Sequence, residues 1–278
     1  GLRELNNVLV TSGASIAEIN AVRRAVSAVK GGGLAAAAAD CEQVSLVISD
    51  TRSGDVTTVA SGPSLSPADG LPNAAEVVRK YGLAGKVPPS AALNRTKPKP
   101  ASENRRVHVL MDNRTAVSNA ADIAEKLGFP VRFDDGERDG PIAEGVAALF
   151  ENALAFRTET PLDRPVCLIS GGEFACEVRG GGIGGRNCES VLRMALLANE
   201  KNASGDFAFL SAGTDGIDGN SPAAGGVIDW RTLNGDRSDG EEHLRNSDSF
   251  TFVKERGAVI ETGPTGTNVR DIRIFLMR

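Results

Sequence analysis

Arg186 ends the run 180–187 at its next-to-last position (GGGIGGRN), immediately before a stretch with helical spacing. Glycines lack a Cβ, so backbone N–H groups can converge there, and a helix starting near Asn187 adds the positive end of its dipole. A guanidinium at that junction is always charged and offers a planar fork of donors suited to phosphate or carboxylate oxygens. Gly184, Gly185, Arg186 and Asn187 therefore read as an anion-binding turn; the plainer alternative is a surface arginine that forms a salt bridge beside a flexible loop. The spacing Gly180-x-Gly182-x-x-Gly185 also satisfies a dinucleotide fingerprint, which would suit a reductase using NAD(P)H. That fingerprint needs an acid at the end of the next strand to hold the ribose, and the chain there runs into Ala212-Gly213-Thr214 instead.

Carboxylates stand at comparable turns. Asp215 and Asp218 lie three apart in 214–219 (TDGIDG), where hard oxygen ligands suit Mg²⁺, or where two Asx turns fix the loop. Asp50, with Asp55 nearby, poses the same choice. Glu173 and Glu189 suit either the orientation of a cation or substrate hydroxyl, or helix capping. Lys30, followed by Gly31 and Gly32, is either a phosphate contact or a charge complementing a helix C-terminus, and Ser170-Gly171-Gly172 ends a strand-like run.

The rest of the composition narrows the chemistry. With 31 Lys and Arg against 36 Asp and Glu, a net charge of −5 and 4% aromatic residues among 278, the chain has neither the basic excess nor the stacking platforms of a nucleic-acid binder. No apolar run approaches the roughly 20 residues a membrane-spanning helix needs. The histidines, His108 and His243, are far apart and read as structural, against a histidine metal site or a Ser-His-Asp hydrolase. A Walker A sequence is absent, the one Gly-Lys pair being Gly85-Lys86 before Val87. Cys41, Cys167, Cys176 and Cys188 form no Cys-x-x-Cys pair, which predicts reduced thiols in a cytoplasmic enzyme.

These turns must be held by regular elements. Residues 15–30 carry Ile16, Ile19, Val22, Val26 and Val29 on one helical stripe, with Ser15 and Glu18 forming a capping box. The apolar run 44–49 predicts a strand in a covered sheet, and 73–81 a helix. Residues 86–105, rich in Pro, Lys and Asn, read as a loop. Strands are predicted at 106–111, 131–133, 166–170, 174–179 (as a hairpin partner), 207–211 and 272–276, with helices at 113–127, 141–150 and 187–199. The alternation predicts two α/β domains with mainly parallel sheets, 1–160 and 161–278, the ligand lying in a cleft between them.

The turns also occur in an order that resembles a known family. Residues 12–23 (SGASIAEINAVR) lead into Lys30-Gly31-Gly32, then Ile48-Ser49-Asp50 and Ala60-Ser61-Gly62-Pro63. Ser170-Gly171-Gly172-Glu173, Gly184-Gly185-Arg186-Asn187, 213–219 (GTDGIDG) and 262–268 (TGPTGTN) follow. This series resembles the glycerate 2-kinase family, whose C-terminal part is called the MOFRL domain, over essentially the whole chain. The resemblance implies phosphorylation of D-glycerate to 2-phosphoglycerate with ATP and Mg²⁺, with Arg186 at the family's functional arginine. It implies Asp215, Asp218 and Asp50 as nucleotide and metal candidates. Lys30, Gly31, Gly32, Ser170, Gly171, Gly172, Gly184, Gly185, Asn187, Glu189 and Asn268 become substrate or phosphate contacts. A homodimer is allowed rather than required.

Three departures accompany it. Asn187-Cys188-Glu189 replaces the family's Asn-Gln-Glu, and Arg270 stands where a small polar residue is usual. The sequence also begins after the family's N-terminal segment, with its lysine in a Gly-Lys-Ala context. The resemblance thus implies a first domain short of part of its sheet and of that cation, and so a fragment, a chain completed by a partner, or an inactive phosphate-binding module.

Overall fold

A computed structural model describes residues 2–52, 54–65, 70–87, 105–161, 163–201, 206–232 and 237–278. Most of the loop expected at 86–105 lies outside the described residues, as does Ser53. The chain divides into two compact units, Gly1–Val47 with Gly54–Leu110, and Ile48–Ser53 with Met111–Arg278.

The first unit contains α1 (Leu2–Thr11), α2 (Ile16–Val26), α3 (Gly33–Ala37), β1 (Gln43–Ile48), α4 (Ala74–Lys80) and β2 (Arg105–Met111). Helix α2 starts as its capping box requires: the Ser15 hydroxyl accepts from the Glu18 N–H at 3.3 Å, and Glu18 Oε2 accepts from the Ser15 N–H at 2.9 Å. Ile19 and Val22 pack with Leu5, Leu9, Val77, Val78 and Leu83 into one apolar cluster. The helix ends at Val26 rather than Lys30, so the predicted stripe is cut short, with Ile16 and Val29 exposed. Strand β1 pairs with β2 in a two-stranded sheet, and its apolar residues Val44, Leu46 and Ile48 are exposed rather than covered.

The second unit is built on a six-stranded sheet in the order β3-β4-β8-β5-β6-β7. Its strands are β3 (Val131–Pro141), β4 (Val166–Ala175), β5 (Phe207–Gly213), β6 (Gly225–Asp229), β7 (Val259–Ile260) and β8 (Asp271–Met277). The helices are α5 (Asn113–Lys126), α6 (Ile142–Glu159), α7 (Arg186–Glu200), α8 (Arg237–Arg245) and α9 (Ser249–Glu255). The α/β class holds, but the sheet is not mainly parallel: among the described residues only β3 pairs parallel with β4, and the other pairs are antiparallel. The α7 crossover does leave β4 and β5 pointing the same way, yet β8 lies between them, antiparallel to both.

One face of this sheet buries Leu168, Phe209 and Phe275 against Phe150 of α6, Val191 of α7 and Phe252 of α9. The other covers Cys167 and Ile169 with Ala121 and Ala124 of α5. Because α6 shares a core with β4 and α7, the expected boundary at 160/161 falls within one compact unit. The hairpin partner expected at 174–179 is also replaced: Phe174 and Ala175 are the continuation of β4 itself.

Candidate functional site

Strand β8 alternates, burying Asp271, Arg273, Phe275 and Met277. The last two complete the apolar core, and the first two carry the polar end of the same face into the protein. The register explains how they fit. Asp271 lies opposite Gly172 on β4 and Gly213 on β5, which leaves space above the carboxylate, while Arg273 lies opposite Ser170 and Ser211. Arg273 donates to the Gly171 carbonyl at 2.8 Å, contacts Asp271 Oδ2 at 3.4 Å and stacks 3.6 Å over the Phe174 ring. Burial pulls its pKa down to about 10, against the pull of Asp271 toward the charged form.

Arg186 is the first residue of α7, with Gly185 at the N-cap in an extended conformation. Its Nε and Nη2 donate to Asp271 Oδ2 and Oδ1 at 2.7 and 2.9 Å, and Nη1 lies 3.0 Å from Glu173 Oε1. Burial opposes its charge, but the bidentate bond and the charge of Asp271, then those of Glu173 and Asp218, outweigh that and raise its pKa. Of the five N–H donors of a guanidinium, these contacts take three, leaving two among the described residues on a side chain that is 28% exposed.

The neighbouring predicted residues are framework. Asn187 is buried, donating to Asp271 Oδ1 at 3.1 Å and accepting from the Ser211 hydroxyl at 2.7 Å. Asp218 caps α7, Oδ1 accepting from the Asn187 N–H at 2.9 Å and Oδ2 from the Cys188 N–H at 2.8 Å. Burial raises the Asp218 pKa, and those two backbone N–H groups pull it the other way. Glu189 is turned inward, accepting from Arg193 at 2.8 Å and from the Cys176 thiol at 3.1 Å.

The glycine turns differ from the expected anion cradles. The N–H groups of Gly182, Ile183 and Gly184 donate inward to Asn246 O, Asp248 Oδ1 and Asn220 Oδ1. The glycines serve close packing: a Cβ on Gly184 would sit 2.3 Å from Ser249 Oγ, and one on Gly185 2.4 Å from Asp218 Oδ1. Ser170-Gly171-Gly172 lies within β4, where a Cβ on Gly171 would fall 1.9 Å from Asn113 Oδ1. Ser170 is buried and donates to Asp134 Oδ2 at 3.3 Å.

In the first unit, Gly31 and Gly32 donate to the carbonyls of Ser61 and Gly62 at 2.9 and 2.7 Å, and Lys30 Nζ donates to Ala60 O at 2.7 Å. That turn is closed by its own backbone. Asp215 is half-buried and forms an Asx turn with the Ile217 N–H at 3.1 Å, and Asp50 is exposed. Asn268 is exposed and accepts from the Arg270 N–H at 2.8 Å.

The structure thus gathers Arg186, Asn187, Asp218 and the Ser170–Gly172 strand around residues that no sequence motif marks: Asp271, Arg273, Asn113 and Asp134. Asn113 is fully buried, with Nδ2 donating to the carbonyls of Val269 and Asp271, both at 2.8 Å, and Oδ1 accepting from the Gly172 N–H at 2.8 Å. The available signal was the polar–apolar alternation 271, 273, 275, 277, with two charges in phase with Phe275. Beside Asn113 and Gly171 a cavity of about 570 Å³ opens, with Arg52, Arg114, Asp134 and Glu137 in its wall. Among the described residues no group of three or more His, Cys, Asp or Glu side chains is placed to hold a metal ion.

Two family models match the chain. Residues 166–271 match the MOFRL family, and residues 1–94 match a domain of unknown function, DUF4147. A D-glycerate 2-kinase of Thermotoga maritima is 36% identical over 282 residues, covering 99% of this chain and 66% of its own length. A glycerate kinase of Macaca fascicularis is 32% identical, covering 99% of this chain and 82% of its own. The crystal structure of a Thermotoga maritima glycerate kinase superposes with a TM-score of 0.84 at 33% identity, over 100% of this chain and 67% of that one. The chain thus spans just under two thirds of the length of the Thermotoga relative.

Proposed function

This chain belongs to the glycerate kinase family that carries the MOFRL domain, and on that premise we propose that it serves phosphoryl transfer from ATP to D-glycerate, giving 2-phosphoglycerate in the cytoplasm. One observation carries the reading. Arg186 is locked by Asp271 on one side and Glu173 on another, with two donors left over. Phosphoryl transfer asks mainly for positioning and for fixed positive charge where the equatorial oxygens gather negative charge. A guanidinium held on its carboxylates meets that need without having to reorganise, and its remaining pair of N–H groups matches two oxygens of one phosphoryl group.

The cavity beside Asn113 suits a small hydroxy acid. Its wall carries Arg52 and Arg114 beside Asp134 and Glu137, and the two arginines offer positive charge for the carboxylate of glycerate. Asp218 is turned into the protein, both of its oxygens held by backbone N–H groups and the residue buried, which leaves no open approach for a cation. Mg²⁺ arriving on the nucleotide phosphates needs only one or two carboxylates and supplies charge neutralisation there. Asp215 and the exposed Asp50 fit that demand.

The test is phosphorus NMR of the complete gene product incubated with D-glycerate, ATP and Mg²⁺. A phosphomonoester signal matching authentic 2-phosphoglycerate, appearing together with ADP, is the expected result. Phosphorylation at another hydroxyl, or no phosphorylated product, would overturn it.

A further inference from the structure

Arg270 lies at the entry to β8 with φ +70, in the left-handed region that favours glycine and asparagine over a long side chain. It is 6% exposed, and its guanidinium contacts three carboxylates. Nη1 meets Glu137 and Nη2 meets Asp139, both on β3, while Nε lies 3.5 Å from Glu173 Oε2 on β4. Asp139 and Glu173 are register partners on neighbouring strands. Like charges placed opposite one another repel, and Arg270 bonds to both members of this pair.

The other oxygen of Glu173 is the one that meets Arg186, at 3.0 Å. Glu173 is therefore a carboxylate shared between two guanidinium groups, one buried among three acids, the other part-exposed with two donors to spare. Buried among three acids, Arg270 is not presented to a ligand itself. Its influence passes through Glu173, whose orientation decides whether Arg186 Nη1 is held.

We propose that Arg270 is a positioning residue for Arg186, fixing the Glu173 carboxylate so that the two remaining Arg186 donors keep one direction. This rests on the reading of Arg186 as the group that meets the transferring phosphoryl. Without Arg270, Glu137, Asp139 and Glu173 lose their shared cation and Glu173 turns toward solvent, leaving Arg186 anchored by Asp271 alone.

The test compares the complete protein with its Arg270→Asn, Glu173→Gln and doubly substituted variants. Asparagine tolerates the left-handed backbone, so the fold is retained while the charge is removed. In arginine-resolved proton–nitrogen NMR, the two Hη1 protons of Arg186, identified by their loss in Arg186→Lys, give separate signals while Glu173 holds Nη1. Arg270→Asn should merge them, while the Nε and Nη2 signals held by Asp271 stay as in wild type. It should also lower kcat about tenfold, with the KM for ATP changed by less than about twofold. Glu173→Gln should do the same, and the double variant should lose no more than either single one, because the two act as one unit. Separate Hη1 signals in folded Arg270→Asn, or losses that multiply in the double variant, would overturn the proposal. If the wild-type protein does not phosphorylate glycerate, the kinase reading fails, and the NMR comparison still decides the role of Arg270.

Discussion

Asp271 grips Arg186 with both carboxylate oxygens, at 2.7 and 2.9 Å, and it can do so because both of its strand neighbours, Gly172 and Gly213, lack side chains. The same carboxylate touches Arg273 and the Asn187 amide. One fully buried acid thus pairs with two arginines and fixes the start of α7.

Removing that acid should be costly. Asp271→Ala leaves the Arg273 guanidinium buried without its counter-charge, and breaking a buried pair in this way costs about 3–5 kcal/mol. Urea unfolding should show a clear fall in midpoint for Asp271→Ala. A midpoint equal to wild type would mean that the pair contributes nothing to holding the second unit.

The glycines of β4 should be intolerant for reasons of space. At Gly171 a Cβ would lie 1.9 Å from Asn113 Oδ1, and at Gly172, with φ +99, 2.3 Å from the Arg138 carbonyl oxygen. Gly171→Ala and Gly172→Ala should each destabilise by about 1–3 kcal/mol, as overpacking does. Gly181, where an added methyl would meet nothing within 4 Å, is the matched control. Calorimetry on the three variants checks the contrast, and equal melting temperatures would contradict it.

A pH-dependent contribution belongs to the first unit. Glu18 is held at about 2, below its ordinary 4.5, first by its bond to Lys80 and then by the Ser15 N–H. A carboxylate lowered on folding adds stability that is present above 4.5 and is lost as the pH falls toward about 2. The melting difference between wild type and Glu18→Gln should therefore shrink across that window. A difference that stays constant from pH 6 to about 2 would remove Glu18 from the acid response.

The thiols should separate by burial. Cys41 is exposed, whereas burial pushes Cys167 up to about 11 and Cys176 up to about 12, and raises Cys188 as well. An alkylating reagent at pH 8 should modify Cys41 in the native protein and reach the other three only after unfolding. Rapid native labelling of Cys188 would contradict this packing of α7.

The contrast between what sequence patterning revealed and what it hid has a physical basis. Local signals were readable: the Ser15–Glu18 capping box is formed by residues three apart, and it appears as expected. Strand direction was not, because the insertion of β8 between β4 and β5 depends on a long-range return of the chain. The glycines stand out in the sequence, but what they accommodate does not: Ser170-Gly171-Gly172 is strand rather than turn, and at Gly182, Gly184 and Gly185 the missing side chains make room for Asn246, Asp248, Ser249 and Asp218. Asp271 and Arg273 are not legible in the sequence because charges at a strand start resemble an exposed boundary, and only the flanking glycines and serines of β4 and β5 make their burial feasible.

The most direct test of phosphoryl transfer at Arg186 is steady-state kinetics of Arg186→Ala in the complete gene product. A contact that strengthens as charge gathers on the transferring group should cost kcat about 10²-fold or more, with KM for glycerate changed by only a few-fold. An unchanged kcat would contradict it and remove Arg186 from the chemistry.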